Sequence, residues 1–385
     1  MANLRTMLRW LRGRESAITG LVGRLVRIES SSYDREGVNR LVDALAVEWR
    51  KRGARVERIR PARAAERGDV LRCEWRPAKV AAGGQILVLG HTDTVYERGT
   101  LERMPFRVRG GRAYGPGTLD MKAGLAIALA AVDAMRATGH APRRRIVFLW
   151  TPDEEIGSEA ARARIEREAR RSAAVLVLEP GSGPRGRLKT ARKGVGEFTV
   201  EVRGRAAHAG VNPQAGVNAV HELAMQIARV MRFGDARRGI TVNADVIEGG
   251  TRTNVIAERA RARVDVRVAR AGDIARVTAR FGGLRPILPG ARVRVSGGID
   301  RPPMERRVAE GLFAKAQRLG RELGMRIEES STGGGSDGNF TAALGVPTLD
   351  GLGAVGAGAH TAGEFIRTRS LAERAALLAA LLHRL

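Results

Sequence analysis

Three short apolar runs without alternation constrain this chain more than any other feature: Ile86-Leu87-Val88-Leu89, Ile146-Val147-Phe148-Leu149-Trp150 and Ala174-Val175-Leu176-Val177-Leu178. A strand with apolar side chains at every position must be covered on both faces, which is the condition of a parallel sheet flanked by helices. The intervening segments supply those helices, an Ala-rich stretch from about 122 to 138 and a charged one from 158 to 171. Upstream, residues 15 to 52 carry apolar positions at helical spacing (Ile18, Leu21, Val22, Leu25 and Val26, then Val38, Leu41, Val42, Leu45 and Val47), interrupted by Ser30-Ser31-Ser32. The alternation predicts an α/β domain with a mostly parallel central sheet.

From about 196 the texture changes. Phe198-Thr199-Val200-Glu201-Val202 alternates, a helix is expected over 217 to 232, alternating strands over 240 to 247 and 258 to 268, a second helix over 272 to 282 and a strand at 291 to 295. That β-α-β-β-α-β order predicts a small antiparallel sheet with two helices on one face. An amphipathic helix at 305 to 322 and a terminal one at 370 to 384 return the chain to its first texture. At 385 residues two cores are expected, so residues 1–195 and 303–385 are read as one discontinuous domain and 196–302 as an insertion.

The net charge of +26 raises the question of a nucleic-acid partner. Its distribution argues against one. Lysine occurs only at 51, 79, 122, 189, 193 and 315, and the arginines that make up the excess are spread over both halves without a basic tail or aromatic interleaving. The remaining consequence is a field that attracts anionic substrates. No run approaches the length of a membrane span, and Met1 to Ser30 is interrupted by charges throughout, so no signal peptide is read and a cytoplasmic location is expected. The single Cys73 fits a reducing compartment and is read as a buried small residue.

Residues able to do chemistry collect where the buried strands run out. His91 and Asp93 follow the first run and share a face at i and i+2, so that Asp93 can accept the second ring N–H of His91. Asp120 lies in a glycine-rich turn, Gly115-Pro116-Gly117-Thr118-Leu119-Asp120, just ahead of a helix. Asp153-Glu154-Glu155 ends the second run, Glu179 ends the third, and His360 sits in Gly356-Ala357-Gly358-Ala359-His360-Thr361. Histidines and carboxylates at strand ends form a donor set for zinc or a similar divalent ion. A bridging carboxylate would let the set hold two ions, and a spare acid beside a ligating one meets the need for a general base. His140, His221 and His383 are read as surface or helix residues.

The segments HTDTVY, GPGTLDMKAG, TPDEEIGS, LEPG and GAGAHT, in this order around the inserted module, resemble metallopeptidase family 20, the co-catalytic zinc carboxypeptidases and aminoacylases. The likeness covers nearly the whole chain and is nearest to glutamate carboxypeptidase. It implies a zinc exopeptidase-like catalytic domain with an inserted ferredoxin-like domain that serves as lid and dimer contact. It implies two Zn2+, replaceable by Co2+ or Mn2+, held by His91, Asp120, Glu155, Glu179 and His360 with Asp120 bridging, and a cis peptide at Asp120-Met121. Asp93 would orient His91, and Glu154 would be the general base.

In the insertion, His208 of Gly204-Arg205-Ala206-Ala207-His208-Ala209-Gly210 resembles the histidine that stabilises the tetrahedral oxyanion. Asn254, Arg267, Arg301 and Gly334 resemble positions that line the substrate pocket, with Asn254 and Arg267 on its carboxylate. Glutamate at 179 is similar to the glutamate carboxypeptidases and the desuccinylase, and with the Asp265-Val266-Arg267 segment the resemblance implies a carboxypeptidase that releases a C-terminal amino acid, with glutamate as a candidate, from a small peptide or N-acyl amino acid. The alternative is an intracellular N-acyl-amino-acid deacylase of the acetylornithine or succinyl-diaminopimelate type. A non-catalytic binding protein on the same fold would be expected to lack a ligand or the base, and none is missing. The resemblance also implies a homodimer through the insertion.

Overall fold

The computed structural model describes residues 4–61, 66–76 and 84–385. The chain forms two compact units, one comprising Met1–Ala191, Arg306–Ser331 and Ser336–Leu385, the other Arg192–Glu305 and Thr332–Gly335.

The strands of the two main sheets are β1 (Arg55–Ile59), β2 (Val70–Trp75), β3 (Gln85–His91), β4 (Ile146–Thr151), β5 (Ser172–Val177), β6 (Gly194–Arg203), β7 (Thr241–Gly249), β8 (Arg259–Val268), β9 (Arg292–Arg301) and β10 (Thr348–Leu349). In the first unit the sheet order is β1-β2-β4-β3-β5-β10. Strands β4, β3, β5 and β10 are mutually parallel, and β2 and β1 add an antiparallel edge. Strands β3 and β4 are buried at every position, as a sheet covered on both faces requires.

On one side of the sheet Trp49 of the helix Arg35–Lys51 lies 4.1 Å from Phe148 and 6.0 Å from Trp150, ring centre to ring centre. Gly90 is required here: a Cβ on it would stand 2.5 Å from Met121 Cε and 2.9 Å from the Trp150 ring. The terminal helix Thr368–Arg384 packs on the helices Ala123–Ala137 and Leu4–Arg12. Leu4–Arg12 was not anticipated from the sequence, although Leu4, Met7, Leu8 and Leu11 bury one helical face.

The charged helix expected from 158 is shorter, Arg162–Ala169. The preceding residues hold a loop instead. Ser158 adopts φ 61° with its hydroxyl on Asp337 (2.5 Å), and the Ala160 amide donates to Asp153 (2.6 Å).

In the second unit the antiparallel sheet order is β7-β8-β6-β9, with the helices Ala219–Met231 and Ile274–Gly282 in the β-α-β-β-α-β sequence. Along β8 the even-numbered Ala260, Ala262, Val264, Val266 and Val268 are buried while Arg259, Arg261 and Arg263 are exposed. Phe198 and Phe281 stack at 4.0 Å in its core. Strand β9 runs on to Arg301, past the expected end at 295, because Ser296-Gly297-Gly298 offers no alternation to read.

Phe148 fills the interior between sheet and helix with no exposed surface. Phe148→Ala should therefore cost about 3–5 kcal/mol, read as a lower urea midpoint for the transition that carries the near-ultraviolet tryptophan signal.

Candidate metal centre

Parallel strands that start in register also end in register. His91, the last residue of β3, pairs with Thr151, the last of β4, and Val177 of β5 pairs with Leu89, so Glu179 emerges alongside His91. Asp120 enters from the irregular turn Thr118–Lys122, at φ −115° and ψ 95°, with its peptide bond to Met121 cis. His360 arrives by a small antiparallel sheet in which Phe365–Arg367 pairs with Arg112–Tyr114, setting the late glycine-rich loop beside the turn that carries Asp120. Its own backbone is left-handed at φ 62°, a conformation uncommon outside glycine and concentrated at functional loops.

These side chains meet. His91 Nε2 is 3.2 Å from Asp120 Oδ1 and 3.5 Å from Glu179 Oε1, and His360 Nε2 is 3.5 Å from Asp120 Oδ2 and 3.3 Å from Glu155 Oε2. His91, Asp120 and Glu179 form one triad of donor atoms and Asp120, Glu155 and His360 a second, each within 4.8 Å, with Asp120 common to both. Among the described residues, Glu155 Oε1 is buried without a hydrogen-bond partner, an acceptor that a cation would satisfy. The mixed imidazole and carboxylate set fits zinc-like divalent ions.

Asp93 organises the cluster from behind and is fully buried. Its Oδ1 lies 3.3 Å from His91 Nδ1 and accepts the Glu154 N–H at 3.1 Å, and its Oδ2 accepts the Glu155 N–H at 3.1 Å and the Ser32 hydroxyl at 2.7 Å. His91 Nδ1 is also 3.0 Å from the Asp93 carbonyl. One carboxylate thus aims Nε2 of His91 at the donors and pins the turn that carries Glu154 and Glu155. Ser32 carries no such signal in the sequence, where Ser30-Ser31-Ser32 reads as a helix break. Asp153 does not join the cluster. It turns to the Ala160 amide, and burial pushes its carboxyl up to about 7.

The electrostatics follow from close packing of like charges. Burial alone would lower the His91 pKa, but hydrogen bonds to Asp120, Asp93 and Glu179 outweigh it and hold the ring well above its ordinary value. His360 is raised to about 10 by Asp120 and Glu155. Asp120 is driven far below the usual range by the two imidazoles against the opposing effect of burial, whereas burial and the charges of Asp120 and Asp93 push Glu155 up.

His140, His221 and His383 lie outside the cluster. His140 is buried, which corrects the surface reading: Nδ1 lies 2.8 Å from the Thr138 hydroxyl and the ring meets His383 edge-on at 5.2 Å. His221 is exposed on the helix Ala219–Met231. Cys73 is buried and burial pushes its thiol up, so it is no nucleophile.

In the second unit the substrate candidates fall into two groups. His208 Nδ1 accepts the N–H groups of Gly210 and Val211, both at 3.1 Å, so the neutral ring carries its proton on Nε2. Asn254 is its neighbour, its carbonyl accepting the Ala209 amide at 2.9 Å. Both lie beyond the Arg203 end of β6. Arg267 and Arg301 both stand opposite Val195, at the other end of that strand. Asp265 occupies the Nε and Nη2 edge of Arg267 at 2.7–3.0 Å. The Gly334 and Gly335 carbonyls accept from buried Arg192 at 3.1 and 2.8 Å, a contact the sequence did not advertise among so many arginines.

An α/β sheet with paired donor triads at the carboxyl ends of its parallel strands is an arrangement suited to metal-assisted hydrolysis. Known proteins identify the lineage. The model of peptidase family M20/M25/M40 matches residues 87–384. Carboxypeptidase G2 of Pseudomonas sp. (strain RS-16) is 31% identical over 354 residues, 90% of this chain and 84% of that protein. Succinyl-diaminopimelate desuccinylase of Paraburkholderia xenovorans (strain LB400) is 30% identical over 74% of this chain and 79% of that protein. Aminopeptidase PepT of Bacillus cereus superposes with a TM-score of 0.80 at 24% identity, over 96% of this chain and 98% of that one. The chain belongs to peptidase family M20/M25/M40 and is a metallopeptidase or amidohydrolase.

The raised histidines set a pH dependence with a definite sign. A histidine whose folded pKa exceeds its unfolded value stabilises fully below the unfolded value, near 6.5, and loses that contribution as pH rises through the folded value, about 10 for His360. Chelator-treated protein should therefore melt at progressively lower temperature from pH 6.5 to 9. A divalent ion such as zinc, if it takes the place of those protons, should raise the melting temperature by more at pH 9 than at pH 6.5.

Proposed function

We propose that this chain is a dizinc carboxypeptidase that releases a C-terminal amino acid, glutamate being the first to test, from a small peptide or N-acyl amino acid. The observation that carries this reading is the pair of donor triads sharing Asp120, with Glu154 next in sequence to Glu155. His91 and Glu179 would hold one ion and Glu155 and His360 the other, with Asp120 between. Zinc there, or cobalt or manganese in its place, supplies Lewis acidity that lowers the pKa of a water and polarises the scissile carbonyl. Glu154 takes the proton of the attacking water and passes it to the leaving amine. Asp93 keeps the His91 ring aimed and the Glu154 turn in place.

His208 is a donor only at Nε2, the form needed to stabilise a tetrahedral oxyanion. The Nη1 end of Arg267, left open by Asp265, is available to the substrate carboxylate, with Arg301 and the Gly334 loop beside it. The eight steps of β6 between Val195 and Arg203 separate these groups by ~26 Å, more than a dipeptide spans. One chain cannot close both on the same substrate, so we place His208 and Asn254 of a second subunit against the arginines of the first. The resulting homodimer would form through the inserted domain.

No helix among the described residues is long and apolar enough to cross a membrane. A cytoplasmic setting is proposed on the single buried Cys73. The scattered arginines leave nucleic acid outside the reading.

The desuccinylase, 30% identical over 74% of this chain, supports a second reading as an N-acyl-amino-acid deacylase. A panel of C-terminal glutamyl peptides, other dipeptides and N-acetyl and N-succinyl amino acids, assayed with metal-reconstituted protein, separates the two. Hydrolysis should vanish on chelation and return with zinc or cobalt. Glu154→Gln should lower kcat by ~10²–10⁴ with zinc content unchanged, and full activity in that variant would sink the mechanism.

A further inference from the structure

We propose that Glu364 is a positioning residue for the metal centre, its carboxylate holding the backbone that carries Asp120 so that this side chain stands between the two donor triads. The proposal rests on the dizinc reading given above. Glu364 is fully buried. Its Oε1 accepts the N–H groups of Leu119 at 2.6 Å and Asp120 at 3.0 Å, and its Oε2 accepts the Gly117 N–H at 3.0 Å and the Tyr96 hydroxyl at 2.6 Å.

The three amides belong to a turn that cannot satisfy them internally. Gly117 is left-handed at φ 67°, where a Cβ would meet Thr94 at 2.5 Å, and Asp120 and Met121 have non-helical dihedrals. An external acceptor with several lone pairs is needed, and an ionised carboxylate is the one side chain that supplies them without adding a donor.

Glu364 also sits four residues after His360 on the same loop, and the adjoining Phe365–Arg367 strand is paired with Arg112–Tyr114. Tyr96 lies five residues after His91. One carboxylate therefore ties the segments that carry His91, Asp120 and His360. A bridging ligand tolerates little displacement, since a shift that favours one triad opens the other.

Co2+ titration of chelator-treated protein, followed by the visible absorption of the bound ion, tests this in the full chain. Wild type should take up two ions. Glu364→Ala should weaken uptake of at least one of them by ~10–100-fold and lower kcat by a similar factor, with KM changed less than threefold. Glu364→Gln offers one carbonyl oxygen in place of two and turns an amide NH2 toward the remaining donors, so it should fall between wild type and Glu364→Ala. Tyr96→Phe, which leaves all three amides bonded, should lose less than Glu364→Gln. If Glu364→Ala does not fold by circular dichroism, the order of the other two variants decides. Folded Glu364 variants that bind two ions with wild-type affinity and spectrum overturn the proposal. A wild-type chain that fails to bind two ions removes the dizinc reading as well, whereas two ions with the predicted Glu364 effect but no amide hydrolysis would overturn only the substrate assignment.

Discussion

Four carboxylates, those of Asp93, Asp120, Glu155 and Glu179, are packed against two imidazoles at one edge of a buried sheet, and the need to neutralise them shapes everything around them. Two such charges 4 Å apart repel by about 1 kcal/mol even at the dielectric constant of water, and by more inside a protein. Each is answered by a particular partner. Asp93 accepts the amides of Glu154 and Glu155 and the hydroxyl of Ser32, while Asp120 sits between His91 and His360. Among the described residues, Glu155 Oε1 is buried without a hydrogen-bond partner, an acceptor that a cation would satisfy.

The sheet makes this concentration of charge affordable. Parallel pairing brings the ends of β3, β4 and β5 to one level, so donor side chains from three distant stretches of sequence converge: His91 within its strand, Glu179 two residues past Val177 and Glu155 four past Thr151. Asp120 and His360 come from loops, and loops need holding. The small sheet that pairs Phe365–Arg367 with Arg112–Tyr114 does this for the backbone, and the Glu364 carboxylate does it for the turn itself. In the second unit the same logic is simpler: Gly210 and Val211 fix the His208 tautomer, and Arg192 holds the Gly334 carbonyl.

Much of this was legible in the chain. His91 and Asp93 could be paired because side chains at i and i+2 of a strand share a face, and the unbroken apolar runs announced a sheet covered on both sides. The order of elements in the insertion was readable from alternation, up to the glycines of β9 that interrupt it. Ser32 and Glu364 were not legible, because their partners lie 61 and 244 residues away and neither position belongs to a periodic pattern. His140 looked like a surface residue for the same reason, its burial depending on His383 at the far end of the chain.

By itself the sequence determined the α/β class, the inserted β-α-β-β-α-β module, the donor types and the family, since periodicity and local motif spacing encode these directly. Only the tertiary structure decided that the donors form two triads sharing Asp120, that Asp93 serves His91 and the Glu154 turn together, and that His208 and Arg267 belong to opposite ends of one sheet. These are distances between residues remote in sequence, and strand register and loop packing, which no local pattern specifies, set them.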